Sequence, residues 1–314
     1  MNTLLRNMVL ALVLLGLLSA PAEAGLKKYG NSGFVFLKVG QSARSAAMGD
    51  ASTAVVVGVE AIFTNSAGLA YVEKPSFTVS HNRWLVDSKF YSAALAYPLG
   101  RHVLGISMIT FQLPEYEETT IYQPSGTGTI IRDNDLAIGL TYAIQFTDRF
   151  TFGAQARYVQ ETLFQDSHSS VDLSVGTHFY TGFRSLRLAM ALRNFGTDIE
   201  IIDDKAFMPL IYSIAGAMEV YGKVGDPTYL TVSAENAFFI DYERRINTGA
   251  ELWLGNAIAL RGGYKFNSDT ESITLGAGIK KEFADQRAVT VDFSYGDMGD
   301  LLDPVYRISL GGAF

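Results

Sequence analysis

From residue 75 onward the sequence keeps a two-residue beat through about fourteen strand-like runs. They lie near 75–84, 89–98, 102–111, 134–147, 150–163, 170–181, 185–196, 208–220, 227–236, 242–254, 257–266, 272–282, 288–298 and 305–314. Strands of soluble domains average about five or six residues. A tilted strand crossing a bilayer needs about nine to eleven, and most of these runs are at least that long. The last run shows the pattern plainly. Tyr306, Ile308, Leu310 and Phe314 fall on one face, and Arg307, Ser309, Gly311 and Ala313 on the other. Side chains of a strand point to opposite faces in turn, so each run has one apolar and one polar face.

Two architectures accept such a pattern: a soluble sheet with a packed core, or a membrane barrel whose apolar face meets lipid. Only 18% of residues are charged although 48% are apolar, against about a quarter charged in an ordinary soluble domain. No stretch after the N-terminus holds the roughly 18 consecutive apolar residues of a spanning helix. Lysines and arginines instead share one face of the later runs, as in Arg261 and Lys265 opposite Ile258, Leu260 and Tyr264. These features predict an all-β, transmembrane, outer-membrane β-barrel of about 14 antiparallel strands, with a wet lumen and a lipid-facing wall. Closure is required because hydrocarbon offers no partner to an open sheet edge.

The connections agree. With both termini in the periplasm, every second connection should be a short turn. Pro98–Arg101, Thr147–Arg149, Thr181–Ser185, Gly222–Asp226, Gly255-Asn256 and Phe283–Gln286 are short and fall in the expected places. Gln112–Asp133, Leu163–Ser169, Phe195–Phe207, Phe239–Asp241, Asn267–Glu271 and Asp297–Pro304 tend to be longer and more acidic. The first link and the one near Asp241 are short too, so the alternation is imperfect. Trp84 and Trp253 near strand ends are expected at the membrane–water boundary. The prolines at 98, 114, 124, 227 and 304 lie at strand ends or in loops, where no ladder bond is lost.

Residues 1–24 read as a secretory signal peptide. Arg6 supplies the positive start, Met8–Leu18 the apolar run, and Pro21-Ala22-Glu23-Ala24 the small-residue cleavage site. No cysteine follows it to anchor a lipid, and the mature chain is expected to begin at Gly25. Residues 25–74 are not strand-like. Ser42–Met48 and Val59–Leu69 have helix-compatible patterns, broken by Gly49-Asp50 and by Asn65-Ser66-Ala67-Gly68. Small residues dominate from Gly40 to Ser52, with Arg44 among them. Such a segment can fold back into a lumen as a plug, because small side chains allow close backbone approach.

The run Phe36-Leu37-Lys38-Val39-Gly40-Gln41-Ser42-Ala43-Arg44-Ser45-Ala46-Ala47-Met48-Gly49-Asp50-Ala51 resembles the N-terminal signature of the PorV/PorQ family of outer-membrane proteins. Ala61-Ile62-Phe63-Thr64-Asn65-Ser66-Ala67-Gly68-Leu69-Ala70 resembles that family's Asn-Pro-Ala-Gly-Leu element, with Ser66 in place of Pro. The family is similar to the FadL-type fatty-acid channels, fourteen-stranded barrels with an N-terminal hatch. The resemblance implies that Gly40, Gln41, Ala43, Arg44, Met48, Gly49, Asn65, Ala67, Gly68 and Leu69 form the hatch motif. Separately, the alternating aromatic and aliphatic last strand, with Tyr306, Ile308, Leu310 and the final Phe314, is similar to the recognition signal of the barrel-assembly machinery.

No catalytic constellation is expected. His81, His102, His168 and His178 are scattered without metal-ligand spacing. His168 lies in the acidic stretch Gln165–Ser170, where neighbouring residues of a mobile loop do not meet triad geometry. Asp203-Asp204 and Asp297–Asp303 read as solvated surface carboxylates before they read as calcium ligands. Glu243-Arg244-Arg245 and Lys280-Lys281-Glu282 read as lumen ion pairs or headgroup contacts. No cofactor is expected, and a net charge of -7 argues against nucleic acid. The expected partners are outer-membrane lipid and lipopolysaccharide in a Gram-negative cell. The family resemblance puts first a role in type IX secretion, with Gln112–Asp133 holding cargo or a translocon component. The alternative is passive transport of hydrophobic small molecules, such as long-chain fatty acids. The secretion role stands first because no apolar pocket is legible on inward faces rich in Thr, Ser, Gly and charge.

Overall fold

The computed structural model describes residues 30–314 except 165, 202–203, 269 and 284–286. The expected signal peptide and its cleavage site lie outside the described residues, as does Asp203. In chain order the strands are β1 (Ser76–Arg83), β2 (Lys89–Leu99), β3 (His102–Gln112), β4 (Tyr116–Glu117), β5 (Ile130–Ile131), β6 (Asn134–Thr147), β7 (Phe150–Leu163), β8 (Asp166–Tyr180) and β9 (Arg187–Gly196). Then come β10 (Ile199–Ile201), β11 (Asp204–Ala206), β12 (Ile211–Tyr221), β13 (Thr228–Phe239), β14 (Arg245–Leu254), β15 (Ile258–Phe266), β16 (Ile273–Glu282), β17 (Ala288–Gly296) and β18 (Val305–Ala313). Fourteen of them form one closed antiparallel barrel in the order β1-β18-β17-β16-β15-β14-β13-β12-β9-β8-β7-β6-β3-β2. The pairs β4–β5 and β10–β11 are small hairpins inside two of the long connections.

The seam is the pairing of β1 with β18, from Ser76 opposite Ala313 to Arg83 opposite Tyr306. Phe314 N–H continues the ladder by donating to the Pro75 carbonyl at 3.0 Å. The β2–β3, β6–β7, β8–β9, β12–β13, β14–β15 and β16–β17 links are short and lie at one end. The long connections lie at the other, which also carries the short β1–β2, β7–β8 and β13–β14 links, so Leu163–Ser169 does not belong to the long set.

Alternation sorts the faces. Tyr306, Ile308 and Leu310 point outward, while Arg307 and Ser309 are buried in the lumen. The same holds along β6, where Leu140 is 68% exposed between the inward Gly139 and Thr141. Leu95, Ile106, Ile258, Leu260, Leu275, Ile279 and Val291 continue this outer aliphatic surface. In water such a surface would be an aggregation patch; against acyl chains it costs nothing. Leu140→Arg is therefore expected to destabilise the folded barrel by about 2–4 kcal/mol, as a cation facing lipid near mid-depth. Reversible urea unfolding in lipid vesicles measures it, and a loss below 1 kcal/mol would remove Leu140 from the lipid face.

Three expectations need correction. Trp253 is buried in the lumen, stacked on Tyr229 at 6.3 Å with the Arg261 guanidinium 5.7 Å from its ring. Trp84 likewise turns to Phe90 and to Arg307, 5.2 Å from its ring. Cation–π contact inside outcompetes the membrane boundary for both. His168 does not lie in a loop: β8 begins at Asp166, and His168 pairs with Glu161 of β7. Lys280 and Glu282 pair at 2.5 Å on the inward-facing positions of β16 near its short-turn end, with Glu282 62% exposed, an ion pair of the expected kind.

Candidate functional site

The lumen is filled by residues 34–72. Only one α-helix is described, Ala43–Ala47, capped by the Ser42 hydroxyl, which accepts from Ser45 N–H. Beyond it come two 3-10 stretches, Val59–Phe63 and Ser66–Tyr71. The expected interruption is there, since the first stretch ends at Phe63, but Asn65 also starts the second, its Oδ1 accepting from Ala67 N–H at 3.1 Å. Ser66 occupies the first helical position, where a proline is also tolerated.

An irregular backbone at membrane depth must find its partners inside the protein. Here the wall provides them. Thr151 Oγ1 donates to the Ala67 carbonyl at 3.0 Å, Ser233 Oγ to Ala51 at 2.7 Å and Thr274 Oγ1 to Ala47 at 3.2 Å. Ser309 Oγ accepts from Ala43 N–H at 2.9 Å, and Glu235 accepts from Ser52 and Thr53 N–H at 3.1 Å each. Asn65 Nδ2 donates to Thr53 and Thr177 carbonyls, both at 3.1 Å. The serines and threonines of the inward faces are thus the capping groups of the plug.

Approach this close requires glycine on the wall. Gly153 and Gly176 face each other across β7 and β8 beneath Asn65–Ala67, and Gly249 and Gly263 face each other across β14 and β15 beneath Met48-Gly49. A Cβ on Gly249 would stand 2.5 Å from the Met48 carbonyl oxygen. On Gly153 or Gly263 it would overlap the backbone of Ser66 or of Met48-Gly49. Gly49 itself has φ +65, where a side chain is strained.

Charge fixes the register of the plug. Arg44 makes a two-pronged pair with Glu251, Nε at 2.8 Å and Nη2 at 2.7 Å. Glu251 also accepts from Arg261 Nε at 2.6 Å, and Arg261 Nη1 reaches Asp292 at 2.6 Å. Lys265 pairs with Asp50 of the plug and, at 2.6 Å, with Glu271. Arg187 donates to the Ala54 carbonyl at 2.8 Å while pairing with Glu219 at 2.8 Å. All this lies on the β9–β18 side.

The opposite sector is apolar, which the sequence reading missed. Phe34, Phe36 and Leu37 pack on Phe90, Ile109, Ala137, Val159 and Met208 towards the long-loop end. Val59, Ile62, Leu69, Ala70 and Val72 pack on Ala94, Ala96, Val103 and Ala143 towards the short-turn end. Phe63 touches both clusters. Two apolar clusters bridged by Phe63 therefore lie one above the other along β2, β3 and β6, with Ser92, Ser107, Thr141 and Gln155 buried on the wall between them.

Among the residues expected in the hatch motif, Ala43, Arg44, Met48, Gly49, Asn65, Ala67 and Leu69 all make the contacts above or lie fully buried. Gly40 lies against Asp50, Gly68 against Ala61 and the Val56 carbonyl, and Gln41 bonds only to the nearby Val39 carbonyl at 2.8 Å. Glu235, Glu251, Arg261, Asp292 and the glycine pairs are the functional residues that sequence reasoning passed over. Their signal was charge or glycine on an inward position. His178 is buried between the Tyr71 hydroxyl and the Ala54 carbonyl, and His81 and His102 stack on outward tyrosines. No metal-binding group of His, Asp and Glu occurs among the described residues.

No family model and no curated protein matches the sequence. Solved structures do match the fold. The toluene transporter TodX of Pseudomonas putida is similar at TM-score 0.58 and 13% identity over 91% of this chain and 98% of its own. TbuX, the toluene transporter of Ralstonia pickettii, matches at 0.57 and 13% over 86% and 96%. A FadL homologue of Pseudomonas aeruginosa matches at 0.53 and 11% over 86% and 96%. The fold is thus the FadL-like outer-membrane barrel. PorV/PorQ membership gains nothing from these structures.

Proposed function

We propose that this chain is a passive outer-membrane channel for small hydrophobic molecules, closed by residues 34–72. One observation carries the reading: the two apolar clusters between plug and wall, bridged by Phe63, one towards the long-loop end and one towards the short-turn end. Ionic contacts hold the plug on the far side, so parting the apolar side breaks no ion pair there, though it releases the Phe34 N–H from the Glu161 carboxylate, 2.9 Å away. Apolar contacts lose only surface burial when they separate, about 25 cal/mol per Å², whereas a broken buried pair leaves an uncompensated charge. The weaker half of the plug interface therefore coincides with the oily path. The neighbours named as toluene transporters support a small apolar substrate here.

Cells expressing the chain are expected to take up labelled toluene faster than cells with an empty vector, and labelled glucose no faster. Ile109→Asp, a carboxylate in the cluster towards the long-loop end, removes most of the gain. Equal toluene uptake with and without the protein discards the channel. The secretion role implied by the PorV/PorQ resemblance keeps one observation in its favour. The hairpin around β4 and β5 carries Ile121 and Tyr122 bare at its tip, 96% and 94% exposed. Its base is pinned by Arg132 on Glu115 at 2.7 Å, which holds the Glu115 carboxyl below its ordinary range. Deleting 112–133 separates the readings: lost cargo secretion with intact toluene uptake supports the partner role, and the reverse supports the channel.

A further inference from the structure

The outer wall carries a row of hydrogen-bond donors where β1, β2, β3 and β6 reach the long-loop end. Arg83 stands opposite Lys89, Lys89 opposite Gln112, and Gln112 opposite Asn134 in the strand register. All four are exposed on outward positions. Nearer mid-depth the same face is apolar, with Val79, Met108 and Ile138 exposed on β1, β3 and β6. Round the wall in the other direction, rings hold the level of Arg83: Tyr306 stands opposite it, and Tyr295 opposite Tyr306. Over four strands the row therefore takes the place of the aromatic girdle of a membrane barrel. A groove of about 690 Å³ lies along it, between the β1–β2 turn and the base of the β4–β5 hairpin. Arg132, Asp87 and Glu115 complete its charges. Asp87 pairs with Arg83 at 2.8 Å and Glu115 with Arg132 at 2.7 Å, while Lys89 forms no ion pair among the described residues. Glu117 and Glu118, further up the hairpin, bond within it to the Gly128 N–H and the Thr127 hydroxyl.

Like charges directly opposite each other on a sheet destabilise it, and Arg83 and Lys89 are such a pair. Three cations against two carboxylates leave the groove positive. Both ion pairs are more than half exposed, and pairs of that kind contribute little and exchange readily for another anion. On a soluble protein water would solvate the row. On this wall the row stands directly above the lipid-facing aliphatics, so its neighbour is the headgroup layer, and anionic lipid surfaces attract basic residues placed there. Long loops of such barrels lie outside the cell, which makes that layer the outer leaflet. An anion attached to its own acyl chains matches both the donors and the aliphatic surface beneath them. The groove falls within the roughly 300–1,000 Å³ of small-ligand sites, enough for a sugar as well as a phosphate. We propose that the row seats one phosphate of the lipid anchor of lipopolysaccharide. Arg83 and Lys89 hold the phosphate, and the Gln112 and Asn134 amides, which both donate and accept, hold the sugar that bears it. This inference stands independently of what the channel carries.

The test uses the purified full chain in an uncharged detergent. It is titrated with bisphosphorylated lipid A, and separately with the same lipid dephosphorylated, and bound lipid is read by native mass spectrometry. The wild type is expected to bind the phosphorylated lipid saturably, and about tenfold or more tighter than the dephosphorylated one. Arg83→Gln and Lys89→Gln each weaken that binding about fivefold, the loss of one basic residue at an anionic headgroup. Lys223→Gln, on an exposed turn at the opposite end, leaves it unchanged. The heat-induced gel shift of each variant certifies the folded barrel. Equal binding of the two lipids by the wild type overturns the inference, and so does undiminished binding in both folded rim variants. Phosphatidylglycerol displacing the phosphorylated lipid at equal concentration overturns the choice of occupant.

Discussion

Gly263→Val is expected to unseat the plug, and its neighbour Gly262→Ala to leave it in place. The two positions are adjacent on β15 but face opposite ways. A Cβ on Gly263 overlaps the Met48-Gly49 backbone, whereas one on Gly262 meets nothing nearer than Leu275 at 3.7 Å. Side chains yield to a tight contact by changing rotamer; a backbone held by Ser309, Thr274 and the Arg44 pair cannot. Overpacking a core typically costs about 1–3 kcal/mol, and here it falls on one interface. The Ala43–Ala47 helix must lift, taking with it the bonds from Ala43 to Ser309 and from Ala47 to Thr274. The measurement is limited proteolysis of the folded barrel together with its single-channel conductance in planar bilayers. Gly263→Val should expose cleavage between 43 and 49 and raise the baseline conductance. If the two glycine variants behave alike, the close seat is not what holds the plug.

Glu251→Gln is expected to be the most damaging single change of charge, at about 3–5 kcal/mol. Glu251 is 1% exposed and holds Arg44 of the plug and Arg261 of the wall together. An amide offers one acceptor and no charge, so the two guanidiniums keep only Asp292, bonded to Arg261, and the nearby Glu60 carboxylate, bonded to Ser42. The cost comes from the orphaned cations and not from the bonds themselves. Accordingly, Arg44→Met in the same chain should give back part of the loss, because one of the uncompensated charges has gone. Urea unfolding of the four members of that cycle measures the coupling. Residues sharing an ion network couple by about 0.5–3 kcal/mol; additivity within about 0.3 kcal/mol would mean that Arg44 is held by something else. Glu251→Gln should also raise baseline conductance, since Arg44 is the plug's firmest anchor.

The barrel strands were legible because strand period, lipid and closure leave few choices. The strand count and the facing of Tyr306, Ile308 and Leu310 follow from alternation alone. The small-residue run from Gly40 to Ser52 announced close packing, and it packs closely. Its seat stayed hidden. Gly249 and Gly263 look like ordinary barrel glycines until register sets them opposite each other. The apolar clusters were hidden for a similar reason: Phe90, Ile109, Ala137 and Val159 sit on four different strands, one on each, and no single run looks oily inside. The tryptophans misled because position along a strand was read without the direction of the side chain.

Sequence by itself determined the wall: which residues face lipid, which face the lumen, and that the sheet must close. It could do so because those outcomes depend on neighbours one or two residues apart and on a solvent that accepts no bare backbone. Only the tertiary structure decided what the lumen holds and how. Arg44 meets Glu251 across 207 residues of chain and Lys265 reaches back 215 to Asp50, and no local pattern encodes which inward charge will find which plug residue.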